Sequence, residues 1–198
     1  MSFDKSFEHD RKLFHAAIDE FAAAGYEQAS LNAILKNAGM SKGQFYYHFK
    51  GKQDLYFALI AALIERKRAF MERTIPSEGD DGSFFEILET QLRHGLAFAT
   101  QHPEIQAFSE SFLKEKGSPI FEAALERFNF REDAALDRLV AAAWENGEFR
   151  EDLPFEFVRK TIGYLFNHVT DFTELRGLSN ADKSLRQLLI FMKHGLSR

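Results

Sequence analysis

The stretch "SKGQFYYHFKGKQDL", from Ser41 to Leu55, places aromatic and basic side chains side by side. Ser41 is followed three residues later by Gln44, which is the S-x-x-Q pattern of a capping box. In a capping box, each of the two side chains bonds a backbone N–H group at the start of a helix. The sequence therefore predicts that a helix begins directly after Ser41.

The predicted helix has two different faces. At about 100° per residue, Phe45 and Phe49 fall on one side, and Gly43, Gln44 and Tyr47 fall on the other. The flanks are occupied by Lys42, Tyr46 and His48. We therefore expect the two phenylalanines in the core and the remaining side chains at the surface.

A second short helix precedes this one. Apolar residues repeat with a helical period between Leu31 and Ala38, after an N-capping Ser30, and Gly39 ends the pattern. Two helices joined by a glycine turn are typical of the helix-turn-helix motif, in which the second helix enters a DNA groove.

The outer face of the second helix has the chemistry of a DNA-binding surface. Gln44 can donate to and accept from an adenine edge, and Tyr47 can reach a phosphate or a thymine methyl group. Gly43 would let the backbone approach closely, and Lys42, Lys50 and Lys52 would neutralise phosphates. An ordinary solvated helix, with its tyrosines packed on neighbours, remains the alternative on this pattern alone.

The whole chain of 198 residues has a helical period, which predicts an all-α fold of about nine helices. We expect a helix-turn-helix domain over residues 1–54, a connecting fourth helix over 52–75, and a larger helical body over 76–198. The predicted seventh helix is long, from Pro119 to about Asn146. The eighth begins at Pro154, and Ser179 or Asn180 caps the ninth.

Composition restricts the classes of function. The chain has no cysteine, which excludes disulfide bonds. Its net charge of −5 is divided as +2 over residues 1–75 and −7 over the remainder. This division favours binding of a polyanion to the first third of the chain. Acidic residues near the N-terminus and the lack of a long apolar run predict a cytoplasmic protein that does not insert into a membrane. The histidines are not spaced as metal ligands, and we expect neither a metal nor a cofactor. No nucleophile elbow or phosphate-binding loop is present, so we expect no enzyme.

Residues 11–63 resemble the DNA-binding head of the TetR (tetracycline-repressor) family of bacterial regulators. The matching sequence is "AAIDEFAAAGYEQASLNAILKNAGMSKGQFYYHFKGKQDL", and "ENGEFREDLP" further on is similar to a turn that many members carry. The resemblance implies a cytoplasmic homodimer that represses transcription, binds a near-palindromic double-stranded operator and is released by a small-molecule effector.

The resemblance also implies which residues contact DNA. Carried over by match, these are Ser30, Lys42, Gly43, Gln44, Tyr46, Tyr47, His48 and Lys52. Three positions depart from the family pattern. Phe45 replaces a more usual leucine, Gly51 replaces a capping residue, and Asn32 replaces a longer or charged side chain.

The helical body is expected to hold the effector pocket and the dimer interface. The many phenylalanines favour a hydrophobic or aromatic effector. Candidate pocket residues are His94, Phe98, Phe108, Phe112, Phe128, Trp144, Phe166, Asn167 and Thr170. Candidate interface residues, on the apolar stripes of the last two helices, are Val158, Ile162, Leu165, Leu185, Leu188, Leu189 and Met192.

Each of these assignments has an alternative. An aromatic residue at helical spacing is more often part of the core than of a pocket, and the two stripes could simply close the core of the monomer. The competing function is a helical protein that binds a small molecule and does not recognise DNA specifically.

Overall fold

The computed structural model describes residues 11–74, 82–129, 134–168 and 178–198, and it confirms the all-α prediction. Within these residues the β pairing consists of one isolated bridge between Phe149 and Ser197. The described helices are α1 (Arg11–Gln28), α2 (Leu31–Ala38), α3 (Lys42–His48), α4 (Lys52–Thr74), α5 (Phe84–Gln101), α6 (Pro103–Lys114), α7 (Pro119–Arg127), α8 (Ala134–Glu145), α9 (Phe155–Asn167) and α10 (Leu178–Leu196). None of these helices combines the length and the apolar character of a membrane span.

The predicted long seventh helix is wrong, and this accounts for ten described helices where nine were expected. The helix that begins at Pro119 ends at Arg127, with Phe128 as its C-cap, and a separate helix begins at Ala134. Between them, Asn129 takes a left-handed conformation with φ of 50°. A non-glycine residue in that conformation cannot continue a right-handed helix.

Two compact units make up the chain, and their boundary differs from the predicted one. The first unit comprises Met1–Phe70 and Ala99–Phe128, and the second comprises Met71–Phe98 and Asn129–Arg198. Helices α6 and α7 therefore belong to the compact unit of the helix-turn-helix segment, although the sequence placed them in the body. In this unit α1 packs against both α2 and α6.

The core of the first unit contains the two phenylalanines that were predicted to face inward from α3. Phe45 is fully buried, Phe49 is 3% exposed, and their stacked rings lie 5.3 Å apart. Arg66 of α4 is exposed and covers the ring of Phe14, with the guanidinium carbon 3.8 Å from the ring centroid. Burial of these apolar side chains fixes which face of α3 is left to solvent.

A break near the end of α1 is stabilised by side chains from α6. Gly25 has φ of 71° and ψ of 172°, a conformation that side-chain-bearing residues avoid. The backbone N–H of Tyr26 donates to Glu115 Oε1 at 2.8 Å, and the buried Ser111 hydroxyl donates to the Phe21 carbonyl at 3.0 Å. Ser111 of α6 and Glu115, the C-cap of α6, thus supply side-chain partners to backbone groups near the break.

The second unit has its own apolar core, which draws on four helices. It consists of Phe84, Phe85, Leu88, Val140, Ala143, Phe149, Val158, Ile162, Met192 and Leu196. The turn "GEFRED" lies beside this core. Its Glu148 side chain accepts from the Phe84 N–H at 2.6 Å, and its Arg150 N–H donates to the Leu196 carbonyl at 2.9 Å. The turn therefore joins the start of α5 to the end of α10.

Two glycines of the first unit give opposite predictions for stability. A Cβ at Gly25 would lie 2.7 Å from Glu115 Oε1 on a backbone that disfavours it, so Gly25→Ala is expected to reduce the free energy of unfolding by about 1–3 kcal/mol. A Cβ at Gly43 would meet nothing within 4 Å, so Gly43→Ala is expected to raise it by about 0.5–1 kcal/mol. Urea unfolding measures both, and equal effects of the two changes would contradict the assignment.

Candidate DNA interface

Helix α3 begins with the predicted capping box. The Ser41 hydroxyl accepts from the Gln44 N–H at 3.2 Å, and Gln44 Oε1 accepts from the Ser41 N–H at 2.9 Å. The preceding helix ends at Gly39, whose φ of 68° is the left-handed conformation of a helix C-cap. The arrangement of helix, tight turn and helix is therefore present as expected.

The outward face of α3 carries most of the predicted contact residues. Tyr47 is 85% exposed and Tyr46 is 58% exposed, although large aromatic side chains usually bury most of their surface. The rings of Tyr47 and His48 meet edge to face at 5.0 Å. The exposed residues of this face, which the structure brings together on one short helix, are Lys42, Gly43, Gln44, Tyr46, Tyr47 and His48.

Gly43 has no role in the fold that requires a glycine. Its φ lies outside the left-handed region, and a Cβ placed on it would meet nothing within 4 Å. Glycine inside a helix costs roughly 0.5–1 kcal/mol relative to alanine. A surface glycine of this kind suits the close approach of another molecule to the helix backbone.

Gln44 performs a structural task that limits how it can bind a base. Its side-chain oxygen is occupied by the Ser41 N–H, which leaves the amide N–H₂ group to donate outward. The expected double contact with adenine, with one bond donated and one accepted, would compete with the cap for the same oxygen. In the observed conformation Gln44 presents a donor.

The surroundings of Lys52 occupy the donors that the predicted phosphate contact would use. Its ammonium group lies 2.7 Å from the Tyr26 carbonyl, 3.0 Å from that of Glu27 and 3.1 Å from that of Ala29. Lysine has three N–H donors, and here each has a backbone acceptor within the first unit. Lys50, two residues earlier, is exposed and is the basic side chain that reaches solvent at this point.

Ser30 takes the capping position that the sequence predicts. Its hydroxyl oxygen accepts from the Ala33 N–H at 3.3 Å, and its own N–H donates to Glu20 Oε1 at 2.8 Å. The side chain is exposed at the start of α2. Its hydroxyl hydrogen can be donated to a phosphate without disturbing the cap.

Two tyrosines near Lys52 remain uncharged at physiological pH. Burial raises the pKa of Tyr56, and the nearby carboxylate of Glu115 adds to this effect. Burial also raises the pKa of Tyr26, with a further contribution from Glu27. The rings of Tyr26 and Tyr56 lie 5.0 Å apart. The positive charge of Lys52 is therefore held by carbonyl groups and an aromatic ring, without a phenolate.

The predicted pocket residues are divided between the two units. In the first, Phe108 lies 5.6 Å from Tyr56, Phe112 lies 4.9 Å from Phe121, and Phe128 lies 6.1 Å from Phe57, measured between ring centroids. In the second, Trp144 and Phe166 pack against the core, Phe98 is buried and His94 is half-buried. Thr170 and the side chain of Asn167 lie outside the described residues. Membership of a pocket stays a prediction for all of them.

Three of the predicted dimer contacts need correction. Val158, Ile162 and Met192 are at most 1% exposed and belong to the core of the chain itself, so a partner could not reach them. The remaining four, which are half-buried, are Leu165, Leu185, Leu188 and Leu189.

The exposed apolar side chains of the last two helices lie at other positions. They are Phe157 and Tyr164 on α9 and Ile190 and Phe191 on α10, all more than half exposed. Phe157, Thr161, Tyr164 and Leu165 also line a shallow depression on α9. The spacing of Phe157, Thr161 and Tyr164 forms a second helical stripe, which is the signal that the sequence interpretation missed.

Comparison with known proteins agrees with this geometry. Residues 13–59 match the family model described as "Bacterial regulatory proteins, tetR family". The chain is 27% identical over 160 residues to the fatty acid metabolism regulator protein of Bacillus subtilis, covering 76% of each chain. It is 29% identical over 150 residues to an HTH-type transcriptional repressor of Mycobacterium tuberculosis, covering 75% of this chain and 73% of the relative.

Solved structures resemble the chain over nearly its full length. A TetR family transcriptional regulator from Chloroflexus aurantiacus superposes with a TM-score of 0.66 at 23% identity, covering 98% of both chains. The regulator FadR from Bacillus subtilis, solved in complex with stearoyl-CoA, superposes with a TM-score of 0.63 at 19% identity, covering 93% and 97%. The helix-turn-helix segment over residues 13–59 thus matches the tetR family of bacterial regulatory proteins, and the chain as a whole has the fold of TetR family regulators.

Proposed function

We propose that this protein is a ligand-responsive repressor that binds a near-palindromic operator as a homodimer. The observation that carries the proposal is the outward face of α3, where the fold does not require the glycine at Gly43 and two tyrosines are more than half exposed. A polar and aromatic helix face with an open backbone fits the major groove of DNA.

Electrostatics supports the same surface. Residues 1–75 carry a net charge of +2, whereas the rest of the chain carries −7. Lys42 and Lys50 are exposed at the two ends of α3, where they can neutralise phosphates on either side of the groove. Lys52 does not contribute to this set of phosphate contacts.

A homodimer would use the exposed apolar residues of α9 and α10. Phe157, Tyr164, Ile190 and Phe191 are large side chains left in water, and aromatic residues are enriched where proteins associate. A two-fold interface brings the same patch of each subunit together, so the patch must be self-complementary. Two copies of α3 would then reach major grooves about 34 Å apart.

The effector is proposed to be hydrophobic. The chain has 22 phenylalanines, several of them only half-buried, and a relative of similar fold was solved with stearoyl-CoA. Long-chain acyl-CoA thioesters are therefore the first compounds to test for release from DNA, with free coenzyme A as the matched control.

The experiment that tests the proposal is selection of random duplex DNA by the purified protein at near-physiological salt. Enrichment of an inverted repeat is expected, followed by release of the selected DNA when an effector is added. Uniform, salt-sensitive binding to all sequences would favour the competing function, a helical protein that binds a small molecule without reading DNA.

Gln44 variants separate the capping role from base reading. Gln44→Ala is expected to relax the base preference at one operator position, at a cost of about 1–3 kcal/mol in binding. Gln44→Glu keeps an acceptor for the Ser41 N–H but loses the outward donor, so it should fold like the wild type and bind at least as poorly as the alanine variant. Operator binding by Gln44→Glu at the wild-type level would show that the amide does not contact a base.

Gly43→Ala is expected to change stability and DNA binding in opposite directions. The added methyl group has open space in the free protein but would occupy the surface that approaches DNA. We expect a slightly more stable protein whose operator affinity falls about tenfold or more, measured by fluorescence anisotropy. Unchanged affinity would exclude a close approach of DNA to the backbone at this position.

A single charge on α10 should disrupt the dimer. Phe191 is 68% exposed, and Phe191→Glu would place two carboxylates in an interface that forms around the two-fold axis. We expect a monomer by light scattering, together with loss of binding to a full operator. Ala142→Glu, which adds the same charge to an exposed position of α8, is the control and should remain dimeric. A Phe191→Glu dimer would place the interface elsewhere.

A further inference from the structure

We infer that Lys52 is a positioning residue that holds the two ends of the helix-turn-helix segment together. The inference rests on the proposed binding of DNA by α3, and it assigns Lys52 a role different from the phosphate contact that the family resemblance implies.

The ammonium group of Lys52 sits among three converging backbone carbonyls. They belong to Tyr26, Glu27 and Ala29, at 2.7, 3.0 and 3.1 Å. The same nitrogen lies 4.7 Å from the centroid of the Tyr26 ring, within range of a cation–π interaction. Because a lysine has three N–H donors, no hydrogen remains for a phosphate oxygen in this arrangement.

The acceptors lie where a helix leaves carbonyl groups without partners. The last turn of α1 ends at Gln28, and the carbonyls of a final turn lack intrahelical donors. A cation at a helix C-terminus is also favoured by the helix dipole. Lys52 thus satisfies both the hydrogen bonding and the electrostatics of the end of α1.

The contact closes a loop that contains the entire DNA-reading motif. Ala29 directly precedes Ser30, the N-cap of α2, and Lys52 is the first residue of α4. Residues 30–51, which include α2 and α3, lie between the two ends that the ammonium group joins. Since α3 has only seven residues, its placement depends on how these ends are held.

Substitution of Lys52 by arginine distinguishes a positioning role from a phosphate contact. Arginine keeps the positive charge and binds phosphate well, but its flat guanidinium group cannot direct hydrogens to three carbonyls that converge on one point. A direct phosphate contact predicts near wild-type binding for Lys52→Arg, whereas a positioning role predicts a clear loss. The exposed Lys50 provides matched controls, Lys50→Arg and Lys50→Met.

The experiment measures binding of the selected operator and of random DNA over a range of salt concentrations, at a temperature where each variant is folded by circular dichroism. For Lys52→Arg we expect operator affinity to fall about tenfold or more, while affinity for random DNA and the salt slope stay close to wild type. A misplaced α3 loses base contacts, which lowers the ratio of operator to random affinity. For Lys50→Met we expect affinity for the operator and for random DNA to fall by the same factor, with a salt slope smaller by about 1.

Two results would overturn the inference. One is Lys52→Arg binding the operator like the wild type. The other is Lys52→Met weakening operator and random DNA equally, with a salt slope smaller by about 1, as for a lost phosphate contact. If the wild type itself shows no preference for any sequence, the proposed function fails, and the inference that rests on it fails as well.

Discussion

The broken end of α1 is the constraint on which the first unit depends. Gly25 leaves the helical conformation, and the backbone groups around it then need partners from outside the helix. Ser111 of α6 and Glu115, the C-cap of α6, provide two of these partners, and Lys52 of α4 provides three more hydrogen bonds. Side chains from α4, from α6 and from the C-cap of α6 therefore hold the backbone just before the helix-turn-helix segment.

This arrangement explains why α6 belongs to the same compact unit as the helix-turn-helix segment, although more than 60 residues separate Glu115 from the end of α3. Displacement of α6 along α1 would remove the acceptor from the Tyr26 N–H and the donor from the Phe21 carbonyl. The N–H of Tyr26 is bound to Glu115, and the carbonyl of Tyr26 is bound to Lys52. Tyr26 therefore links the α6 contacts to the Lys52 contacts that hold the ends of the helix-turn-helix segment together.

Local patterns in the sequence predicted local structure well. The two faces of α3 followed from the helical period, and its start followed from Ser41 and Gln44. Long-range or conformational features could not be predicted in this way. The left-handed Asn129 leaves no trace in an apolar period that continues on both sides of it. The partners of Lys52 lie 23 to 26 residues away, so its charge was assigned to a phosphate. Val158 lies on one of two apolar faces of α9, and periodicity cannot tell which face the chain itself covers.

Under the proposed base contact, the capping role of Gln44 limits how operator preference can diverge among descendants of this protein. A substitution at this position must retain an acceptor for the Ser41 N–H. Without it, the seven-residue helix loses one of the two hydrogen bonds of its capping box. Tyr47 has no comparable duty, because its exposed ring is free to vary without changing how the helix begins. New specificities should therefore arise by change at Tyr47 before change at Gln44, which makes the order of evolutionary steps a property of the fold.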